Sequence, residues 1–116
     1  MDVLETFRFV GWITYVSMEI RNFDDSIEKF IESLEKQTIA KVFRAIGVLE
    51  EFGPRLGMPH SKKLNARLFE LRIRGVQEIR IFYTFHKSSI VLLQGFVKKS
   101  QKKPKKEIRT ALQKIR

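Results

Sequence analysis

The stretch Phe69-Glu70-Leu71-Arg72-Ile73-Arg74-Gly75-Val76-Gln77-Glu78-Ile79-Arg80-Ile81-Phe82-Tyr83-Thr84-Phe85-His86 decides how this chain reads. Phe69, Leu71 and Ile73 alternate with Glu70, Arg72 and Arg74, and past Gly75 the residues Ile79, Ile81, Tyr83 and Phe85 alternate with Glu78, Arg80, Phe82, Thr84 and His86. Period-2 patterning on both sides of a glycine turn predicts a β-hairpin with one face for a core and another that carries cations. A guanidinium is planar, permanently charged and bidentate, so an arginine on a strand whose opposite face is buried is well placed to grip a phosphate. Arg80 is the first candidate for chemistry. The competing reading is that Arg80 forms a cross-strand ion pair with Glu70 or Glu78, worth about 0.2–1 kcal/mol.

Charge is spread unevenly around this hairpin. Residues 1–60 carry ten acidic and seven basic side chains and residues 61–116 three and sixteen, so the net charge of +10 resides in the second part of the chain. A field of that sign attracts phosphates and makes binding salt-dependent, although it does not by itself name the polyanion. A length of 116 residues fits one domain, 1–116, with a single core, and residues 1–11 read as a loosely ordered leader. No uninterrupted apolar span reaches about 18 residues, and the N-terminus lacks the layout of a signal peptide; the expectation is a soluble, cytoplasmic protein without a membrane partner. The absence of cysteine excludes disulfides, thiolate nucleophiles and cysteine-bound zinc, and two histidines are too few for a histidine-rich metal site. No metal and no cofactor are expected.

Working outward, residues Phe7 to Ile20 alternate aromatic and β-branched side chains around Trp12, Ile13, Tyr15 and Val16, the signature of a first strand. Asp25-x-x-Glu28 resembles a capping box and opens a helix to about Gln37, whose stripe is Ile27, Phe30, Ile31 and Leu34. Thr38 caps a second helix with the stripe Ile39, Val42, Phe43, Ile46 and Leu49, ended by Gly53-Pro54. Arg55 to Ala66 reads as a long ordered loop containing His60, Lys62 and Lys63. After a turn at Lys87-Ser88, Ser89 to Val97 is almost continuously apolar, as in a central strand covered on both faces. It runs into a basic cluster, Lys98, Lys99, Lys102, Lys103, Lys105 and Lys106, and Pro104 then opens a helix whose Ile108, Ala111, Leu112 and Ile115 dock it. The order β-α-α-β-β-β-α predicts an α+β domain: a small, mostly antiparallel sheet packed on a helical hairpin and a C-terminal helix.

That topology converges three basic clusters: Lys62 and Lys63, then Arg72, Arg74 and Arg80, then Lys98 and Lys99, with Lys102 and Lys103 beyond them. Strands lie about 4.8 Å apart, so Arg72, Arg80 and Lys98 or Lys99 are close enough to share one phosphate. There is no phosphate-binding glycine loop, no His-Glu-x-x-His, no nucleophile elbow, and only Glu70, Glu78 and Glu107 among carboxylates from residue 61 onward. Cations, hydroxyls and a histidine suit one reaction, cleavage of RNA by its own 2′-hydroxyl, where the protein aligns the nucleophile and stabilises charge on the phosphate.

Several blocks in this order resemble the phage-derived, HigB-like branch of the RelE/ParE toxin superfamily: Leu68 to Arg74, Glu78 to Tyr83, Val91 to Lys99, Pro104 to Ile108, Gly57 to Leu64 and the Ile27 to Leu34 helix. The resemblance implies a compact RelE-like fold and the toxin half of a type II toxin–antitoxin pair. Its members are usually endoribonucleases that cut mRNA on the ribosome without metal. Partners implied are a cognate antitoxin, expected to be a helix-turn-helix protein, together with mRNA and ribosomal RNA. By this likeness Arg80, followed by Tyr83, stabilises the transition-state phosphate, and Arg72 with Lys98 or Lys99 assists in proton transfer or phosphate binding. Lys62, Lys63, Arg74, Lys98, Lys102 and Lys103 are the expected RNA-binding residues. Gln101 to Arg116 lacks the tyrosine or histidine that some relatives use as a base, leaving His60, Tyr83 and His86 as candidates if they reach the site. The alternatives are a ParE-like gyrase poison and a non-catalytic nucleic-acid-binding module.

Overall fold

The computed structural model describes residues 7–10, 13–16 and 18–116. Strands β1 (Phe7–Val10) and β2 (Ile13–Val16) pair antiparallel. Then come β3 (Glu19–Asn22), α1 (Ser26–Glu32), α2 (Lys36–Phe52), a 3-10 turn at Gly53–Arg55, β4 (Ser61–Lys63), β5 (Phe69–Ile73), β6 (Ile79–His86), β7 (Ser89–Val97) and α3 (Lys105–Ile115). The main sheet runs β3-β7-β6-β5-β4, with β3 and β7 parallel and every other pair antiparallel. This is the expected α+β fold. Among the described residues no helix is long and apolar enough to cross a membrane.

Each face of the sheet carries a core. Ile73, Ile79, Ile81, Tyr83, Ile90 and Leu92 pack against Ile27, Ile31, Val42 and Leu49 of α1 and α2, while Phe82 and Leu93 pack with Leu68 against Ala111 of α3. The alternation along β6 sorts these two sets, as period 2 requires. In β7 the pairing passes from Tyr83 opposite Leu92 to Phe82 opposite Gln94, which leaves Leu93 as an extra residue. Such a bulge flips the parity of the strand beyond it. Leu92, Gly95 and Val97 therefore all serve the α1/α2 side, and Phe96 serves the α3 side. Gly95 is needed there because a β-carbon would lie 2.5 Å from Cδ2 of Phe30.

The bulge also frees the Leu93 carbonyl. Lys114 of α3 donates to it at 2.7 Å, and its ammonium further reaches Gln94 Oε1 at 3.3 Å, Asp24 Oδ2 at 3.3 Å and the Phe23 ring at 5.5 Å. One lysine thus ties α3, β7 and the entry to α1 together. The Ser26 hydroxyl, then its amide and Lys114, holds the Asp24 carboxyl below the usual carboxylate range.

Several local expectations are corrected. The single first strand over Phe7 to Ile20 is instead three four-residue strands, and Trp12 and most of the expected leader lie outside the described residues. The helix expected to reach Gln37 stops at Glu32, where the Ser33 hydroxyl donates to the Phe30 carbonyl and competes with continuation. Asp25 makes no cap hydrogen bond; it pairs with Lys29, and Asp24 accepts the Ser26 amide instead. The second helix starts at Lys36, so Thr38 is a buried first-turn residue, not its cap. Phe43 leaves the buried stripe and stands 60% exposed. Within the expected loop lies β4, a three-residue edge strand whose exposed Lys62 and Lys63 read as polar loop. Gly53 does end α2, with φ of 52°.

Replacing Lys114 by Met should leave the bulge carbonyl unsatisfied and loosen α3. A loss of about 1.5–3 kcal/mol is expected, the scale of hydrogen bonds to charged groups, read by urea denaturation.

Candidate nucleic-acid cleft

On the α3 side of the sheet the apolar core covers only part of the face. The remainder is a cleft of about 1110 Å³ between the hairpin, the β4–β5 connection and the segment leading into α3. Among the described residues its lining holds eight basic ones, Lys62, Lys63, Arg72, Arg74, Arg80, Lys98, Lys99 and Lys103, against two acidic ones, Glu70 and Glu78. Leu64, Leu68, Pro104, Ile108 and Leu112 give it an apolar wall.

The arginines are ordered by a repeated pattern. Glu70-Leu71-Arg72 and Glu78-Ile79-Arg80 each place a carboxylate two residues before a guanidinium, on the same strand face. Arg72 Nε donates to Glu70 Oε1 at 3.0 Å, and Arg80 Nη1 donates to Glu78 Oε2 at 3.2 Å and to the Ile79 carbonyl at 3.2 Å. Arg72 and Arg80 are direct cross-strand partners. Like charges so opposed repel, and Glu70 lies between them, 3.8 Å from Arg80 Nε. That distance is too long for a hydrogen bond. Arg80 is 5% exposed, and its buried Nε has no hydrogen-bond partner among the described residues. A guanidinium nine-tenths buried, with an unanswered donor, lines a cavity rich in cations.

The lysines are arranged differently. Lys98 is half-buried; its amide donates to the Glu78 carbonyl and its ammonium to the Lys102 carbonyl, which folds the β7–α3 segment over the cleft edge. Lys99 and Lys103 are exposed at the rim. Asn65 accepts the amides of Arg67 and Leu68 with its side-chain oxygen, fixing the turn that carries the cleft wall.

Of the expected site residues, Arg72, Arg74, Arg80, Lys62, Lys63, Lys98, Lys99 and Lys103 come together around this cleft, and Lys102 lies outside its lining. The three acid/base candidates also lie outside it. Tyr83 is in the opposite core, 1% exposed, stacked on Phe69 and hydrogen-bonded to the Ser61 hydroxyl. His86 is exposed at the other end of β6, six residues from Arg80, or about 20 Å at the rise of a strand. His60 lines a separate cavity on the α2 side. Sequence reading also omits the wall of Leu64, Ile108 and Leu112, since an apolar residue facing a cleft has no distinguishing pattern. The signal it does contain is the doubled Glu-x-Arg.

The fold and the cleft define a class: a small α+β domain presenting an arginine pair and a lysine-lined groove on the sheet face that α3 leaves open. Within it, the chain belongs to the phage-derived Gp49-like proteins (DUF891), whose family profile matches residues 29–116. This is a RelE/HigB-type toxin family, so the chain is of the toxin–antitoxin toxin kind and a cognate antitoxin is its implied partner. A search of curated proteins finds no match.

Burial pushes the Tyr83 phenol above its ordinary value of 10.0, with the Ser61 hydrogen bond partly offsetting this. A folded-state pKa raised above the unfolded one gives stability that is present below the unfolded value and lost as pH rises through the folded one. Above about pH 10 the wild type should therefore lose stability faster than Tyr83→Phe, in chemical denaturation repeated across alkaline pH.

Proposed function

We propose that this protein is a metal-independent endoribonuclease that cleaves mRNA on the ribosome, using the Arg72/Arg80 cleft. The observation that carries the reading is the buried Arg80 guanidinium, whose Nε has no hydrogen-bond partner among the described residues, in the lining of a cleft rich in cations. Held by Glu78 and the Ile79 carbonyl, it needs no reorganisation as charge develops on a phosphate, which is the property electrostatic catalysis requires. Membership of a RelE/HigB-type toxin family supports the same activity.

In this reading the substrate 2′-oxygen attacks the adjacent phosphorus as the bond to the 5′-oxygen breaks, giving a 2′,3′-cyclic phosphate and a free 5′-hydroxyl. Arg80 and Arg72 bind the non-bridging oxygens. Lys99, exposed at the rim, gives a proton to the departing 5′-oxygen. The 2′-hydroxyl proton passes to Glu78, the more accessible of the two cleft carboxylates, with a side chain 36% exposed against 6% for Glu70. Both residues then exchange protons with water, restoring the starting state.

Induction of the chain alone should arrest growth and cut ribosome-bound transcripts. Arg80→Ala should reduce single-turnover cleavage by about 100-fold or more, as for loss of one oxyanion donor, and Arg80→Lys should recover little of it because the fork is lost. Growth arrest with intact transcripts, accompanied by DNA damage and a supercoiling defect, would instead assign a gyrase poison.

Glu78→Gln keeps an oxygen for Arg80 but removes the proton acceptor. It should lower kcat with little change in KM, because the group that takes the 2′-hydroxyl proton is lost while the phosphate-binding arginines stay. An unchanged kcat in Glu78→Gln would remove Glu78 from the proton step.

A further inference from the structure

The cleft is not the only cavity that Arg72 and Arg74 line. β4 covers β5 only as far as Leu71, and the His60 carbonyl accepts the Arg72 amide at 2.8 Å; beyond that point the sheet edge is open. Around this edge, on the α2 side, lies a second cavity of about 270 Å³ lined by Lys41, Arg44, His60, Arg72 and Arg74 over an apolar floor, with no carboxylate in its lining among the described residues. Lys41, Arg44 and Arg74 are exposed, and none of them is in an ion pair among the described residues. Lys41 donates to the Arg74 carbonyl at 3.5 Å, which brings α2 against the end of β5.

We infer that this second cavity is a phosphate-binding subsite for the same RNA strand that occupies the cleft, which passes over the β5 edge at Arg72 and Arg74 to reach Lys41 and Arg44. This rests on the cleft being an RNA site. Three features favour a sugar–phosphate backbone as the occupant. Arg72 and Arg74 line both this cavity and the cleft. Unlike Arg72 and Arg80, its Lys41, Arg44 and Arg74 have no carboxylate partner among the described residues, and as exposed long side chains they are suited to following a polyanion. Clustered unpaired cations repel one another until a polyanion neutralises them, and binding such a ligand releases its counterions.

The test uses non-cleavable 2′-O-methyl RNA: a trinucleotide sized for the cleft, and an oligonucleotide of about 12 nucleotides, within the range single-strand grooves occupy. Binding is measured by fluorescence anisotropy across a salt series for wild type and for the double variant Lys41→Gln/Arg44→Gln, with thermal melts to verify folding. For the long RNA, the slope of log K against log salt should become shallower by about 1.4 in the double variant, the value for two single-strand phosphates. Trinucleotide binding should be unchanged. An unaltered slope, or an equal loss with both RNAs, would overturn the subsite while leaving the cleft reading intact. If neither RNA binds wild type, the cleft reading fails and the subsite with it. Two further arms separate other occupants: ribosome sedimentation weakened without a change in oligonucleotide slope would assign the patch to ribosomal RNA, and weaker binding to polyglutamate alone would assign it to an acidic protein. Both overturn the inference.

Discussion

Glu70 is the carboxylate on which the hairpin depends. It is 4% exposed and sits between two guanidinium groups that the strand register places directly opposite each other. A buried and a half-buried like charge without such a counter-ion would disfavour the pairing of β5 with β6, and removing one partner from a buried ionic group costs about 3–5 kcal/mol. Glu78 does the same for Arg80 from the other side. The two Glu-x-Arg units therefore close a nearly neutral network, and the excess charge of the cleft comes from Arg74 and the lysines around it. Order and field are separated: paired arginines have fixed geometry, and the unpaired cations supply the long-range attraction.

That network needs one face of the sheet to be only half covered. On the α1/α2 side, apolar residues run unbroken from Ile73 to Ile90, and among the described residues no charged side chain is buried with them. On the α3 side, Leu68, Phe82, Leu93 and Ala111 anchor the helix at one end of the strands, leaving Glu70, Arg72 and Arg80 beyond it. The bulge at Leu93 makes this division possible. It changes the parity of β7 so that Phe96 joins the α3 side, and the carbonyl it exposes becomes the acceptor that holds Lys114. A packing irregularity in the strand and the docking of the cleft wall are thus one feature.

How much of this is legible in the sequence depends on whether a residue's role derives from its local pattern. The faces of β6 do: odd positions are apolar and even positions mixed, so the sequence already assigns Tyr83 to the face opposite Arg80. The same count of residues puts His86 at the far end of the strand. The bulge does not, because in Ile90-Val91-Leu92-Leu93 every residue is apolar and a change of parity leaves no trace. Nor does β4, where two edge lysines mask a strand of three residues. The bounds of α1 and α2 shift for the same kind of reason: Ser33 ends the helix through a hydrogen bond to Phe30, and nothing in the apolar spacing encodes that choice. Net charge localises the site only coarsely, since Lys102 belongs to the basic run yet lies outside the cleft lining, offering its carbonyl to Lys98 instead.

The two kinds of cation also differ in what they can discriminate. A paired guanidinium presents its remaining donors in one direction, so it binds an anion well only when that anion's oxygens match it; this is what makes Arg72 and Arg80 suited to a geometry that changes during a reaction. An unpaired lysine or arginine at the surface accepts a phosphate at many angles and loses affinity steeply with salt. If the whole basic surface were of the second kind, the protein would hold polyanions without favouring any state of them. If it were all of the first kind, it would have little reach toward a polymer. The open end of β5 carries both, with Arg72 paired and Arg74 in no ion pair among the described residues two positions on, so that tight geometric recognition adjoins loose electrostatic capture.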